Sequence, residues 1–491
     1  ERDLIQETLS TPTLPNDFTM QVLNQLEPYE QKKKKKIWKQ VLLSAAALVL
    51  AVGLTATFNP SFAQWIGGIF GTDQVDEGLR LASEYGLTER VDQEVTDQGL
   101  TFKVEDVLAD TSRVALSYQI IKENGKIINP QIDFFDGENF ITAYDQSGKP
   151  IEDFGMSWMS DSDYGLIELS LRGYESVDSV TIVFDLTELN GKNGNWQLEI
   201  PVNISEIKDL TKTLVLDEQV TTEHGVSIHL QEVQFAPSSN DIIYETYFTE
   251  EEKAKVEEQI QELGDSLGDK HIVDYMYYDT AIQYHIENEN GEVLYSHNLF
   301  HNEGHPSDVG MIQGSGEDIG ELGHVKWNDS FNPQKEEEQL TFVLDGVIKT
   351  VPSDFSININ PKKLKQQPLS FEYEGNFLEI KEVDIKTEYE FQKAFPPIET
   401  EKVLAIELKG GKEAASSNLV SWAIIDESGD VYDVSYNMST LDETDENGRF
   451  KTSITLFVYG IEELPEEFTL HLLSVTRYEA VEKEWRVPLY E

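Results

Sequence analysis

Apolar positions along this chain follow three rhythms, and each predicts a different element. The first is an unbroken run. From Gln40 to Thr72 no residue is charged, and within it Val41 to Phe58 reads VLLSAAALVLAVGLTATF. At 1.5 Å per residue those eighteen residues span about 27 Å, close to the thickness of a bilayer hydrocarbon core. The run predicts a membrane helix over 37–58. The second rhythm is helical. After a break at Asn59-Pro60, Phe62, Trp65, Ile66, Ile69 and Phe70 recur at i, i+3, i+4, i+7 and i+8. That stripe suits either the outer membrane interface or a seat against the domain that follows. The third rhythm is alternation at period two, which marks half-buried strands and fills most of the chain beyond residue 94.

The alternating segments repeat. Gly99-Leu-Thr-Phe102-Lys-Val104-Glu-Asp106-Val107 returns as Gly225-Val-Ser-Ile228-His-Leu230-Gln-Glu232-Val233 and as Gly375-Asn-Phe-Leu378-Glu-Ile380-Lys-Glu382-Val383. A second strand follows each copy, at Val114–Tyr118, Ile243–Tyr247 and Val403–Leu408. Turns come next at Asp145–Gly148, Asn288–Gly291 and Asp426–Gly429. Then come strands at Val180–Phe184, Leu340–Leu344 and Phe468–Leu472, and closing strands at Trp196–Pro201, Phe355–Ile359 and Trp485–Pro488. Repetition at this scale predicts three copies of one supersecondary plan. Strands of this length and spacing predict a mainly β chain of three tandem Ig-like sandwiches at 94–206, 207–365 and 366–491. Pro201 and Pro488 donate no ladder hydrogen bond and belong on edges. The second module is longer by an insertion at 249–264. There Thr249-Glu-Glu-Glu252 forms a capping box, and Val256, Ile260 and Leu263 share one helical face. That helix is expected to lie on the sandwich as a structural element.

Charge fixes which side of the membrane each part occupies. The chain has 38 basic and 91 acidic residues, a net −53, and no cysteine. Residues 1–39 hold seven of the basic ones, which leaves 31 basic against 85 acidic residues beyond them. Lys32, Lys33, Lys34, Lys35 and Lys36, with Lys39, flank the apolar run on its N-terminal side. Positive flanks stay in the cytoplasm, so these lysines are assigned topology and contact with the inner leaflet. The division is then a cytoplasmic tail over 1–36, the span over 37–58, a helical connector over 59–93 and an extracellular acidic body. A cleaved signal peptide is the rival, but 36 residues precede the run and the run exceeds a 7–15-residue signal core. So acidic a body repels nucleic acid, which is excluded as its partner. With no disulfides, each module must hold by burial alone.

The tail is amphipathic in two pieces. Leu4, Ile5 and Leu9 mark one short helix, ended by Pro12 and Pro15. Asp17 can cap a second, with Phe18, Val22, Leu23 and Leu26 on one face. Such a face wants either a protein groove or the inner leaflet, and the groove is favoured.

Catalytic chemistry is sparse, and the chain reads as a non-enzyme without cofactor or metal. Gly314-Ser315-Gly316 lacks the setting of a nucleophile elbow and reads as a loop. His297, His301 and His305 lie four apart with Glu303 between, but Asn302, Gly304 and Pro306 break the helix that zinc ligation would need. The acidic stretches Asp161–Asp163 and Asp442–Gly448 follow no EF-hand pattern and read as solvated turns.

Particular stretches resemble a known family. Pro15-Asn-Asp17-Phe18-Thr19, then Val22-Leu-Asn-Gln-Leu26, a basic stretch and one anchor look like the N-terminus of membrane-bound anti-sigma factors of Firmicutes. Asn59-Pro60-Ser-Phe62-Ala63, Ala82-Ser-Glu-Tyr85-Gly86-Leu87, Val95-Thr96 and Gly99-Leu100-Thr101 are similar to an uncharacterised domain family. That family is known as negative effectors of extracytoplasmic-function (ECF) sigma factors. The later modules resemble the Ig-like domains often appended to it. The resemblance implies a single-pass regulator whose tail holds an ECF-type sigma factor through Phe18, Val22, Leu23 and Leu26 while its ectodomain senses the envelope. An envelope ligand and a second copy of the chain are further candidate partners. The other reading is a structural or adhesive envelope protein, since stacked sandwiches host many functions. The chain opens on Glu1 without Met, so the tail reads as one cut short.

Overall fold

The computed structural model describes residues 69–491, apart from 73, 135–138, 153, 159–162, 175–176, 269–277, 298–307, 335–338, 365, 392–397, 414–416, 418, 420, 462 and 491. The tail, the predicted span over 37–58 and the first part of the connector lie outside the described residues. Among the described residues no helix is long and apolar enough to cross a membrane. Gly67–Glu491 hold together as one unit, and its architecture is mainly β.

The connector ends in a helix, α1 (Glu77–Glu84). Asp76 starts it by accepting the Leu79 N–H at 3.0 Å, and Leu79 and Ala82 are buried. Ile69 and Phe70 are also buried, against Leu108, Ala115 and Leu166 of the first module. For these two residues the apolar stripe is therefore a seat on the body.

Module 1 has ten strands: β1 (Thr88–Asp97), β2 (Leu100–Ala109), β3 (Arg113–Lys122), β4 (Ile127–Ile128), β5 (Phe140–Asp145), β6 (Pro150–Ile151), β7 (Phe154–Trp158), β8 (Gly165–Ser170), β9 (Ser179–Leu189) and β10 (Lys192–Asn203). One sheet runs β1-β2-β3-β8-β7 with β4 beside β3, and the other runs β10-β9-β5-β6. Both sheets feed one core. Phe102 of the first sheet lies 4.9 Å ring to ring from Phe184 of the second, and Trp196 Nε1 donates across the gap to the Leu100 carbonyl at 2.8 Å.

Module 2 comprises β11 (Lys212–Glu223), β12 (Val226–Phe235), β13 (Asn240–Phe248), α2 (Glu250–Leu267), β14 (Thr280–Glu287), β15 (Val293–His297), β16 (Asp308–Val309), β17 (Met311–Asp318), β18 (Val325–Phe331) and β19 (Thr341–Pro352). Its first sheet, β11-β12-β13-β18-β17, repeats the order of module 1. Thr249 caps α2, which buries Val256 in the module 2 core and sets Leu263 and Leu267 against Ala423 further along the chain. The insertion thus braces two modules.

Then follow β20 (Ser356–Ile359), α3 (Pro361–Leu364), β21 (Leu369–Tyr373), β22 (Asn376–Phe391), β23 (Ile398–Lys412), β24 (Trp422–Asp426), β25 (Val431–Thr444), β26 (Phe450–Tyr459), β27 (Phe468–Leu472) and β28 (Ser474–Pro488). Strands β20 to β27 form one path, β20-β27-β24-β25-β26-β23-β22-β21, in which β25 passes from one layer to the other.

The sequence repeat has a structural meaning in each module. The repeat glycines Gly99, Gly225 and Gly375 have φ of +71°, +81° and +74°, and the residues before them, Gln98, His224 and Glu374, are also positive. Two consecutive positive φ values make the two-residue hairpin turn whose twist matches antiparallel strands. The repeat then breaks its own alternation, since Phe102, Val104 and Val107 are spaced two and three apart. A bulge absorbs the odd step: the register with the next strand shifts between Val104 and Val107, between Leu230 and Glu232, and between Ile380 and Glu382. The nine residues at the three recurring apolar positions of the copies, from Phe102, Val104 and Val107 to Leu378, Ile380 and Val383, are buried as a result. The later turns also share one chemistry. Asp145, Asn288 and Asp426 each accept, through Oδ1, the backbone N–H groups two and four residues on.

The closing strands depart from the expected plan. In module 1, β9 turns at Asn190-Gly191, both with positive φ, and β10 folds back on it. In the other modules these strands are exchanged. β28, at the end of the chain, pairs with β19 from Thr341↔Pro488 to Pro352↔Ser474. β20, which directly follows β19, pairs with β27 from Ser356↔His471 to Ile359↔Phe468. Hydrogen bonds Ser353 N to Leu473 O and Leu472 N to Phe355 O, at 3.0 and 2.9 Å, make the two pairings one continuous ribbon. Val487 and Leu489 are buried in the core of module 2, and Ile359 in that of module 3. Assigning Phe355–Ile359 to the second sandwich and Trp485–Pro488 to the third is therefore corrected. The physical cause is the missing turn. Where module 1 has Asn-Gly, module 2 has Val351-Pro352-Ser353 and module 3 has Leu472-Leu473-Ser474. Proline cannot adopt positive φ and leucine does so at a cost, so both strands run straight on into the neighbour.

Candidate functional site

The most elaborate polar site among the described residues lies where α1, module 1 and module 2 meet. The turn between β2 and β3 reads Asp110-Thr-Ser-Arg113, and the corresponding turn of module 2 carries Ser238-Ser239. Asp110, fully buried, organises both. Its Oδ1 accepts from Ser112 N, Ser112 Oγ and Arg113 N at 2.9, 2.9 and 3.2 Å, and its Oδ2 accepts from Ser238 N at 2.7 Å. Ser239 Oγ donates to Ser112 Oγ at 2.8 Å.

Arg113 is the hub. Its side chain is 3% exposed, and all five N–H donors are used. Nε donates to Ser238 Oγ at 3.1 Å, Nη1 to Asp76 Oδ2 at 2.7 Å and Glu168 Oε2 at 3.0 Å, and Nη2 to Asp76 Oδ1 and the Ser238 carbonyl, both at 2.8 Å. One guanidinium thus joins the N-cap of the connector helix, a strand of module 1 and a turn of module 2. Burial pushes the Arg113 pKa down, but the hydrogen bond and charge of Asp76, with Glu168 and Asp110, overturn that and hold it above the usual arginine value. Burial raises the Glu168 carboxyl above its ordinary value, only partly offset by Arg113. Gly78 of α1 completes the junction. A Cβ there would collide with the Ser238 carbonyl, so the glycine permits the approach of helix to turn despite its cost in a helix.

Beside this hub is a cleft of about 390 Å³ between the modules. Gln74, Glu168 and Arg172 line one side, and Met311, Ile312 and Gln313 of β17 the other. Arg172 Nε donates to Asp241 Oδ1 at 3.0 Å, and Asp241 is itself held by Ser330 and Ser239.

The residues singled out from sequence are not assembled here. Phe18, Val22, Leu23, Leu26 and Lys32 to Lys36 lie outside the described residues, as do His301, Glu303 and His305. Among the described residues no group of His, Asp or Glu could hold a metal ion. Gly314-Ser315-Gly316 is not a loop but part of edge strand β17. Trp327 takes the space that a Cβ at Gly316 would occupy, at 2.8 Å, which is why the strand carries glycine. The Asp442–Gly448 stretch ends in a turn at Asp445, whose Oδ1 accepts from Asn447 and Arg449 N–H at 2.8 and 3.0 Å. Sequence reading missed Asp76, Arg113 and Ser238. Their one signal was Gly78 inside a helical segment.

No curated protein matches the chain at a significant level. Among solved structures, a conserved domain protein from Bacillus anthracis aligns at 13% identity and a TM-score of 0.36, covering 58% of this chain and 86% of its own. A marsupial T cell receptor aligns at 7% identity and a TM-score of 0.12, covering 80% and 99%. The match that bears on the junction is to a sequence family. It starts at the lysine run and ends at Lys122, the last residue of β3, and so takes in both Asp76 and Arg113. Residues 33–122 are a match to a domain of unknown function, DUF4179.

Proposed function

We propose that the chain is a single-pass membrane regulator of transcription, with its tail in the cytoplasm and three Ig-like sandwiches outside. In this reading Phe18, Val22, Leu23 and Leu26 sequester an ECF-type sigma factor, and the outer body reports the state of the envelope. The observation that carries it is the Arg113 junction. The connector is not a loose tether: its last helix is clamped through Asp76 to both module 1 and module 2. A change in the angle between those modules therefore acts directly on the segment that follows the predicted span. The alternative, a structural or adhesive envelope protein, draws support from the ribbon that welds modules 2 and 3 into one body.

The experiment replaces Phe18, Val22 and Leu26 with Ser and reads a reporter for the cognate sigma factor beside a membrane-fractionation control. Burial of each such side chain is worth about 1.5–3 kcal/mol, so three together supply much of the roughly 8 kcal/mol of a micromolar contact. Reporter output should rise while the protein stays in the membrane. Unchanged output with the variant still in the membrane would rule out the sigma-binding reading and leave the envelope-binding one.

A further inference from the structure

One histidine stands in the seat that module 3 offers to α2. Leu263 and Leu267 of α2 rest on Ala423, with Ile425, Val431 and Leu473 around them. His471 is the β27 residue directly opposite Ala423, and it lies two positions before Leu473, so its side chain shares the face on which α2 sits. Its Nε2 is fully buried and has no hydrogen-bond partner among the described residues. The backbone of Ser353, where the ribbon crosses from module 2 to module 3, holds the ring through a hydrogen bond. A neutral imidazole leaves only a bare lone pair at Nε2. A protonated one puts a charged N–H there, and an unmatched charged group costs more than an unmatched neutral one. Burial accordingly lowers the His471 pKa below the ordinary 6.5, and the Ser353 hydrogen bond and the charge of Asp354 only partly offset it. Charged groups on the surrounding elements stay at the rim. Asp354 is exposed, Asp433 ends the row His471–Ala423–Asp433 across the sheet, and Glu262 and Asp265 of α2 are exposed while Leu263 and Leu267 turn inward. On the other side of His471 stands Ser356 of β20.

We propose that His471 is an acid-operated catch between modules 2 and 3: proton uptake at Nε2 frees the last turns of α2 from module 3, while the β19–β28 and β20–β27 pairings keep the two modules joined. The direction follows from linkage. The closed seat holds the ring neutral, so its contribution is fully present above the ordinary histidine value of 6.5 and is lost as pH falls below it. With α2 released, the ring regains that ordinary value. At roughly pH 5.5, one unit lower, proton uptake then favours the open form by about tenfold. The carboxylates at the rim titrate near pH 4, below this window. The catch needs nothing from the tail and stands apart from the sigma-factor reading.

The test is amide hydrogen exchange on the full chain at roughly pH 7.5 and pH 5.5, read as protection factors so that the intrinsic pH dependence of exchange drops out. Protection in the second half of α2 should fall about tenfold at the lower pH, while β19 and β28 keep theirs. Two variants assign the effect to the ring. His471→Gln keeps a side-chain donor for the Ser353 backbone and cannot become charged in this range. His471→Phe keeps a flat ring of similar size and also stays neutral. In either variant α2 should stay equally protected at both pH values. A nuclear magnetic resonance titration of the His471 ring in the parent chain supplies a readout that does not depend on the variants, and its midpoint should lie below 6.5. Unchanged α2 protection in the parent at the lower pH, the same fall in both variants, or a ring midpoint at or above 6.5 would overturn the proposal.

Discussion

Exchange of closing strands assigns the last strand of the chain to the middle module, and this can be tested at one residue. Val487 is 1% exposed and packs with Phe342, Leu344 and Leu489 in the core of module 2. Val487→Ala removes two carbon groups at about 0.8 kcal/mol each and leaves a small cavity, so the cost is about 2 kcal/mol. Ile359, fully buried in the core of module 3, is its counterpart, and Ile359→Ala should cost about 2–5 kcal/mol. A loss of 2 kcal/mol raises a local opening constant roughly 30-fold, which amide hydrogen exchange resolves segment by segment. Val487→Ala should accelerate exchange in β14 and β19 and leave β23 and β26 as they were. Ile359→Ala should do the opposite, with the effect in β24 and β27. Stopping the chain at Leu473 is the extreme case: module 2, not module 3, should lose its protection. If Val487→Ala loosens β23 and β26 while β14 and β19 stay protected, the exchange is wrong and the strands close their own sandwiches.

Other perturbations address single interactions. Arg113→Met leaves Asp76 and Glu168 without their cation and should cost about 3–5 kcal/mol, seen as early denaturant unfolding with loss of protection in α1; Arg113→Lys should recover less than half, because an ammonium cannot supply five donors in a plane. In module 2, Asp329 Oδ2 accepts from Tyr244 Oη at 2.9 Å and Tyr284 Oη at 2.8 Å, pinning the two sheets; Asp329→Ala strands both buried hydroxyls and should cost about 2–5 kcal/mol, and combining it with Tyr244→Phe and Tyr284→Phe should recover part of that. Lys412 is fully buried, among the described residues its ammonium meets the Met438 sulfur at 3.8 Å, and burial lowers its pKa from 10.5 to about 8. The unfolded chain then binds more protons than the folded one between those values, so stability from this group rises with pH across that window and is lowest below pH 8. Lys412→Met should therefore be more stable than the parent at pH 7 by about 3 kcal/mol, an advantage that shrinks towards pH 10.5, as denaturation at the two pH values would reveal.

Much of this protein is local in origin and was legible from residues alone. Period-two alternation placed the strands, and the recurring Gly-x-x-apolar pattern announced three copies of one hairpin, because a two-residue turn needs a residue that tolerates positive φ wherever it occurs. Even the bulge is written in the chain, as the odd step from Val104 to Val107 and its two counterparts. The capped insertion helix was visible for the same reason, since Thr249 acts on residues three positions away. What the chain could not announce is whatever depends on residues far apart in sequence. Asp76, Arg113, Glu168 and Ser238 carry no motif, and only folding brings a helix cap, two points on one sheet and a turn of another module around a single guanidinium. The closing strands show the same limit from the other side. Their sequences specify that they are strands and which face is apolar, but β19 and β27 present equivalent open edges to β20 and β28. The choice between them fell to the connecting residues, where the absence of an Asn-Gly turn made it easier to run straight into the neighbouring sandwich than to fold back.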